Sequence, residues 1–128
     1  MANDKAATTR SIGHARSDCP LACTLDVMGD KWTLLVVRDL LRGKSRFNEF
    51  LASPEGVTTN ILADRLKRME AEGLVRRELY QERPARHAYQ LTDKGRALVP
   101  VIQEICRWAN RWDAETWRAP EDFMAMKV

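Results

Sequence analysis

Apolar side chains recur at helical spacing in four short blocks before residue 74 and in one longer block after residue 92. Leu21, Leu25 and Met28 stand four and three apart, and Pro20 suits a first helical turn, where no backbone N–H is needed. This predicts a helix over 18–28, stopped by Gly29. Asp30 can cap a second helix from Lys31 to about Leu41, with Trp32, Leu35, Val36 and Leu40 facing a core. Ser45 opens a third, with Phe47, Phe50 and Leu51 apolar, and Ser53-Pro54-Glu55-Gly56 is turn chemistry. In the fourth, Thr58 is the N-cap, Leu62, Leu66 and Met69 form one stripe, and Gly73 supplies the left-handed stop.

After Gly73 the period changes. Val75, Leu79, Tyr89 and Leu91 fit two strands, with alternation broken at Arg77, and Gln81–Arg86 reads as a hairpin loop longer than a tight turn. Thr92 then caps a long helix from Asp93 to about Trp112. Its Leu98, Ile102, Ile105, Ala109 and Trp112 repeat at three- and four-residue spacing, Val101 and Trp108 widen the stripe, and Pro100 predicts a bend. A domain this small has little core left to cover so wide a face, so packing between subunits is expected. The order predicts an α+β fold, mostly α: a winged helix-turn-helix with an added long C-terminal dimerisation helix. Residues 1–17 read as a disordered arm and 18–113 as the domain, with dimerisation helices at about 18–28 and 92–112. Residues 114–128 read as a loosely ordered tail, or one that Trp117 and Phe123 dock on the partner.

The net charge is only +3, but it is unevenly spread. Residues 30–96 hold fourteen Lys/Arg against ten Asp/Glu, whereas 97–128 hold four against five. The excess surrounds the fourth helix and the hairpin, the pattern of a DNA-facing middle. With no apolar run near ~20 residues and no signal-like N-terminus, a cytoplasmic location and no membrane partner are expected.

The fourth helix turns Thr59, Asn60, Ala63, Asp64, Lys67 and Arg68 away from its apolar stripe. Short polar groups at a helix start can reach base edges in a major groove, and nearby cations can hold phosphates. This makes it a candidate recognition helix, weighed against an ordinary amphipathic surface helix. Arg83, Arg86 and His87 sit at the tip or flank of the hairpin, where a wing reaches phosphates or the minor groove.

The runs Cys19-Pro20-Leu21, Gly29-Asp30-Lys31-Trp32-Thr33-Leu34-Leu35, Arg46-Phe47-Asn48-Glu49-Phe50 and Ile61-Leu62-Ala63-Asp64-Arg65-Leu66 resemble those of HxlR-type transcriptional regulators, a group similar to the MarR family. So do Glu72-Gly73-Leu74-Val75, the Tyr80-x-Glu82-x-Pro84-x-Arg86-x-x-Tyr89 hairpin and Leu91-Thr92-Asp93-Lys94-Gly95. The resemblance covers about residues 19–112. It implies a homodimeric regulator, repressor or activator, on a pseudo-palindromic double-stranded DNA operator with half-sites about one helical turn apart. Residue by residue, Thr58, Thr59 and Asn60 match the family's recognition-helix start and Arg86 its wing arginine; base contacts are expected from Thr59, Asn60, Ala63 and Asp64, and phosphate contacts from Arg46, Lys67, Arg68, Arg83 and Arg86. The resemblance also implies an interface of the first and last helices, drawing on Leu21, Leu98, Ile102, Ile105, Cys106, Ala109 and Trp112.

Cys19 begins the first helix, where partial positive charge favours a thiolate. The same position senses oxidants, quinones or aldehydes in some similar regulators, so Cys19 is a candidate redox or electrophile sensor, against an inert buried cysteine. A disulfide from Cys19 to Cys106 of either subunit fits better than one to Cys23, four residues away on one helix. Otherwise Cys23 and Cys106 read as small core residues. A metal site from His14, Cys19 and Cys23 is disfavoured, no cofactor is expected, and no catalytic constellation appears. Two rivals stay open: a winged helix used for protein contacts, and a MarR-like regulator with an apolar effector between subunits, lined by Trp32, Phe50, Trp108 and Trp112.

Overall fold

The computed structural model describes residues 16–128. The chain runs α1 (Pro20–Met28), α2 (Thr33–Leu41), α3 (Phe47–Leu51), α4 (Thr59–Ala71), β1 (Val75–Glu82), β2 (Ala85–Leu91), α5 (Asp93–Arg96), α6 (Val99–Trp112) and α7 (Glu121–Met124). The expected arm lies outside the described residues apart from Arg16 and Ser17, as does His14. The order is that of a winged helix-turn-helix with a long C-terminal helix.

The apolar stripes converge as their spacing predicts. Val36 and Val37 of α2, Phe50 of α3 and Leu62, Leu66 and Met69 of α4 form one buried cluster with Leu74, Val75, Ile102 and Phe123. Each large side chain so buried is worth roughly 1.5–3 kcal/mol relative to an exposed position. Trp32, Leu35 and Leu40 are only half-buried, so the inner side of α2 is centred on Val36 and Val37.

Local chemistry sets the ends of α4. The Thr58 side chain accepts from the Ile61 N–H at the start. At the finish Gly73 takes φ +77°, a conformation that would strain any side chain. The free carbonyls beyond α4 are met by the segment after the hairpin. Lys94 Nζ donates to the Glu72 carbonyl (2.7 Å), the Thr92 hydroxyl to that of Gly73, and the Thr92 N–H to that of Leu74 (3.0 Å). Gly95 makes this closure fit: a Cβ there would lie 2.2 Å from the Leu74 carbonyl oxygen.

Three expectations change. First, the hairpin is tighter than expected: β1 reaches Glu82 and β2 starts at Ala85, so only Arg83 and Pro84 turn the chain. The Gln81 side-chain amide lies 3.4 and 3.2 Å from the carbonyls of Arg83 and Pro84 and meets turn groups that a longer loop would leave to water.

Second, the helix expected over 92–112 is interrupted. Thr92 caps only the single turn α5, its hydroxyl accepting from the Gly95 N–H (3.1 Å), and the chain resets at Ala97–Leu98. Pro100 then stands in the first turn of α6, where its missing N–H costs nothing, rather than bending a continuous helix.

Third, the tail is not loose, nor does it need a partner to dock. Phe123 is 4% exposed in the chain's own core. The buried Gln103 side-chain amide donates towards the carbonyls of Phe123, Met124 and Met126 at 2.9–3.2 Å. An aromatic anchor and an amide clamp hold α7 against α6. The exposed Trp117 lies outside that anchor.

Candidate nucleic-acid interface

With Leu62, Leu66 and Met69 buried, the helical period leaves Thr59, Asn60, Ala63, Asp64, Lys67 and Arg68 exposed on one side of α4, and Thr58 exposed at its cap. The order along that face runs from short and polar at the N-terminus to cationic at the C-terminus. Asp64 is engaged: its carboxylate pairs with Arg65 and lies 3.8 Å from Arg68. Its acceptor sites are therefore shared with two guanidiniums, which leaves Thr59, Asn60 and Ala63 as the most open part of the face.

Two polar clusters set the pitch of α4 and escaped the sequence reading. Arg65 Nε donates to Asp30 Oδ2 at 2.9 Å. That same Asp30 oxygen accepts from the N–H groups of Trp32 (2.9 Å) and Thr33 (3.0 Å), and its other oxygen from the Thr33 hydroxyl (2.6 Å). Burial opposes ionisation of Asp30, but the Thr33 hydroxyl, the Trp32 N–H, Arg65 and the Thr33 N–H together outweigh it and hold its pKa down to about 2. Asp30 thus holds the turn that leads into α2; regular helix begins only at Thr33, with Trp32 rather than the expected Asp30 at the N-cap. In the second cluster, Arg38 grips Glu55 with two bonds (2.8 and 2.9 Å) and reaches Asp39 at 2.9 Å. The buried Asp39 accepts from the Ser53 hydroxyl, which in turn accepts from Lys44 Nζ (2.8 Å). This network freezes the turn between α3 and α4. The residues for both were visible, but nothing in their spacing pairs positions 30 with 65 or 38 with 55.

The hairpin stands beside this pair of helices. Arg83 and Arg86 are exposed at its tip and flank, and His87 is half-buried. A third short extended piece joins it: the Tyr89 N–H donates to the Ser45 carbonyl (2.7 Å), and Arg46 bridges to Ala88. Arg46 then leads into α3, whose Glu49 carboxylate accepts from the N–H groups of Ser45 (2.9 Å) and Arg46 (2.8 Å). Glu49, rather than the Ser45 hydroxyl, satisfies the start of α3. Among the described residues, Arg46, Lys67, Arg83 and Arg86 make no ion pair with a carboxylate, whereas Arg65, Arg68 and Arg77 do. Of the expected phosphate contacts, Arg68 is the one with such an acidic partner among the described residues.

The expected interface residues divide. Leu98, Ile102 and Cys106 turn towards the chain's own core, and Ile102 is only 8% exposed, so Ile102 is not available as an interface side chain. Leu21, Ile105 and Trp112 are exposed and Ala109 is half-buried. Leu25 of α1 and Val101 and Trp108 of α6 are exposed as well. One helix face thus packs inward and the next outward, a distinction the wide stripe did not resolve. Of the residues expected to line an apolar effector site between subunits, Phe50 is a core ring edge-on to Tyr89, Trp32 is half-buried, and Trp108 and Trp112 are solvent-exposed.

Cys19 is exposed as the N-cap of α1, its N–H donating to the Ser17 hydroxyl oxygen (2.9 Å). Cys23 is buried, its thiol donates to the Ser17 carbonyl, and burial followed by the charges of Asp18 and Asp26 pushes its pKa up. Cys106 is half-buried against the core. Among the described residues no cluster of His, Cys, Asp and Glu could hold a metal ion. No helix among them is long and apolar enough to cross a membrane.

Comparison with known proteins converges on one group. Residues 27–116 match the family model described as HxlR-like helix-turn-helix. The HTH-type transcriptional regulator YvaP of Bacillus subtilis (strain 168) is 42% identical over 88 residues, which are 69% of this chain and 82% of that protein. The crystal structure of PA1607 is similar with TM-score 0.72 and 38% identity, covering 90% of this chain and 82% of that one. The reduced form of the redox regulator HypR is similar with TM-score 0.67 and 37% identity, covering 77% of this chain and 99% of that one.

Proposed function

Because the chain belongs to the HxlR-like helix-turn-helix family and is an HTH-type transcriptional regulator, we propose that it binds a pseudo-palindromic duplex operator as a homodimer. The observation that carries this reading is the exposed polar-to-basic face of α4 beside a hairpin that presents Arg83 and Arg86. In this reading α4 lies in the major groove, with Thr59, Asn60 and Ala63 at base edges. Thr58 stands at the groove entrance, and Asp64 acts mainly through its pairs with Arg65 and Arg68. Arg46, Lys67, Arg68, Arg83 and Arg86 hold phosphates.

Dimerisation joins the exposed apolar faces of α1 and α6. Leu21, Leu25, Ile105, Trp108 and Trp112 are each at least half exposed in the single chain. Leu21 and Leu25 stand four apart on α1, and Ile105, Trp108 and Trp112 three and four apart on α6, so each helix offers an apolar stripe to a joint dimer surface. A two-fold axis through it would repeat α4 at two half-sites.

We further propose that Cys19 is the sensing thiol. It is the exposed cysteine, it stands on α1 beside the proposed interface, and HypR, a structural relative, is a redox regulator. Oxidation or alkylation there would change how α1 packs and so the spacing of the two α4 helices. A coupling of about 1–3 kcal/mol is enough for regulation.

The test is duplex affinity for the protein's own upstream region, measured for reduced protein and after a thiol oxidant or quinone. Tight binding that treatment alters, with Cys19→Ala binding equally well but no longer responding, is the expected result. An unchanged response in Cys19→Ala removes the sensing role. Failure to prefer any duplex, including a genomic library, would leave the winged helix to protein contacts.

A further inference from the structure

A shallow groove of about 310 Å³ separates α3 from the hairpin, lined by Phe47, Asn48, Tyr80, Arg86, His87 and Tyr89. Arg46 stands at its side. The backbone of Arg46 is pinned from two directions, by the bridge to Ala88 and by the Glu49 carboxylate. Its guanidinium lies 4.2 Å from the centroid of the Tyr80 ring. Tyr80 is there because β1 is irregular: Leu79 faces His87 and Gln81 faces Arg86, so Tyr80 is the extra residue of a bulge. A bulge turns a side chain out of the alternation that its strand neighbours obey.

From this we propose that the groove seats one phosphate of a duplex DNA backbone, and that Tyr80 is the positioning residue that aims Arg46 at it. The proposal rests on the DNA-binding reading above. A guanidinium stacked on a ring gives its flat face to the π-system and keeps its in-plane N–H donors for an acceptor. That fork matches the two oxygens of a phosphate. Arg86, which lines the groove, adds a second cation with no carboxylate ion pair among the described residues. Stacking restricts a long side chain before the anion arrives, so less freedom is lost on binding. Because Arg46 begins α3 and Tyr80 belongs to β1, the same contact also sets the hairpin's distance from the helix pair.

The experiment is a double-mutant cycle on a fluorescein-labelled duplex of the upstream region, read by anisotropy across a series of KCl concentrations. Arg46→Ala is expected to lower the slope of log affinity against log salt by about one. Tyr80→Ala is expected to weaken binding about threefold to tenfold, the scale of a cation–π contact. In the Arg46→Ala background, Tyr80→Ala should cost nothing further. Tyr80→Phe keeps the ring and should bind like wild type. Arg46→Lys keeps the charge without the flat stack and should weaken binding as Tyr80→Ala does, which secures the test if Tyr80→Ala unfolds. Equal weakening by Tyr80→Ala in both backgrounds would overturn the proposal, as would wild-type affinity in Tyr80→Ala or Arg46→Lys. A wild-type protein with no salt-dependent binding to this duplex or to any duplex of a genomic library would instead overturn the reading beneath it, a distinct result seen before any variant is made.

Discussion

Arg65 and Asp30 meet at 2.9 Å between the middle of α4 and the start of α2. The carboxylate that holds the turn into one helix therefore also holds the helix with the exposed polar face. A change at Asp30 would alter both the first turn of α2 and the tilt at which α4 is presented.

Acid should release this contact in a defined window. The pKa of Asp30 in the folded chain, about 2, lies below the ordinary 3.8, so protonation favours the unfolded chain. Its contribution is complete above about pH 4 and is lost as pH falls towards about 2. The shift corresponds to roughly 2 kcal/mol. Urea unfolding from pH 6 to pH 2 should show this loss in the wild type, and Asp30→Asn should flatten that limb and start less stable by a similar amount. Parallel curves for the two proteins would contradict the assignment.

The two ends of the α4 face should behave differently on DNA. Asn60→Ala should cost about 1–3 kcal/mol on the operator and little on a scrambled duplex, because base contacts carry the sequence preference. Lys67→Ala should weaken both duplexes alike and reduce the salt slope by about one. Anisotropy titrations at several salt concentrations separate these outcomes.

Adjacent positions on α6 should separate assembly from folding. Ile105 is 51% exposed and Ile102 is 8% exposed. Ile105→Asp should yield a folded monomer by sedimentation velocity. Ile102→Ala should leave the association pattern intact but cost about 2–5 kcal/mol in stability, the cost of an emptied core position. A dimer that persists in Ile105→Asp and Trp112→Asp together would move the interface elsewhere.

The C-terminal segment should act as part of the core. Phe123→Ala is expected to lower stability by about 3–5 kcal/mol in denaturant titrations. Gln103→Leu, which removes the donors aimed at three tail carbonyls, should expose residues 121–126 to faster amide exchange while the rest of the chain keeps its protection. A tail that exchanges freely in the wild type would contradict the packing.

Much of the architecture was legible in the chain. The helix ends at Pro20, Thr58, Gly73 and Thr92 follow from single-residue backbone chemistry, and the stripe Leu62-Leu66-Met69 follows from helical period. Local sequence also separated the exposed face of α4 from its buried face, because one stripe implies the other. The resemblance of the Gly29–Leu35 run and the Tyr80–Tyr89 hairpin to HxlR-type regulators pointed to the family that comparison establishes.

Contacts between distant residues were not legible. Asp30 with Arg65, Arg38 with Glu55, Gln103 with the tail and Arg46 with Tyr80 join positions whose separation in sequence carries no pattern. The inward side of α6 was equally hidden. Leu98, Ile102 and Ile105 share one periodic stripe, and only the placement of α2 and α7 decides that Ile102 is covered while Ile105 is left to solvent. Periodicity and capping are properties of a short segment and are written in it. Which face is covered, and which charge meets which, is decided by where the other segments come to rest.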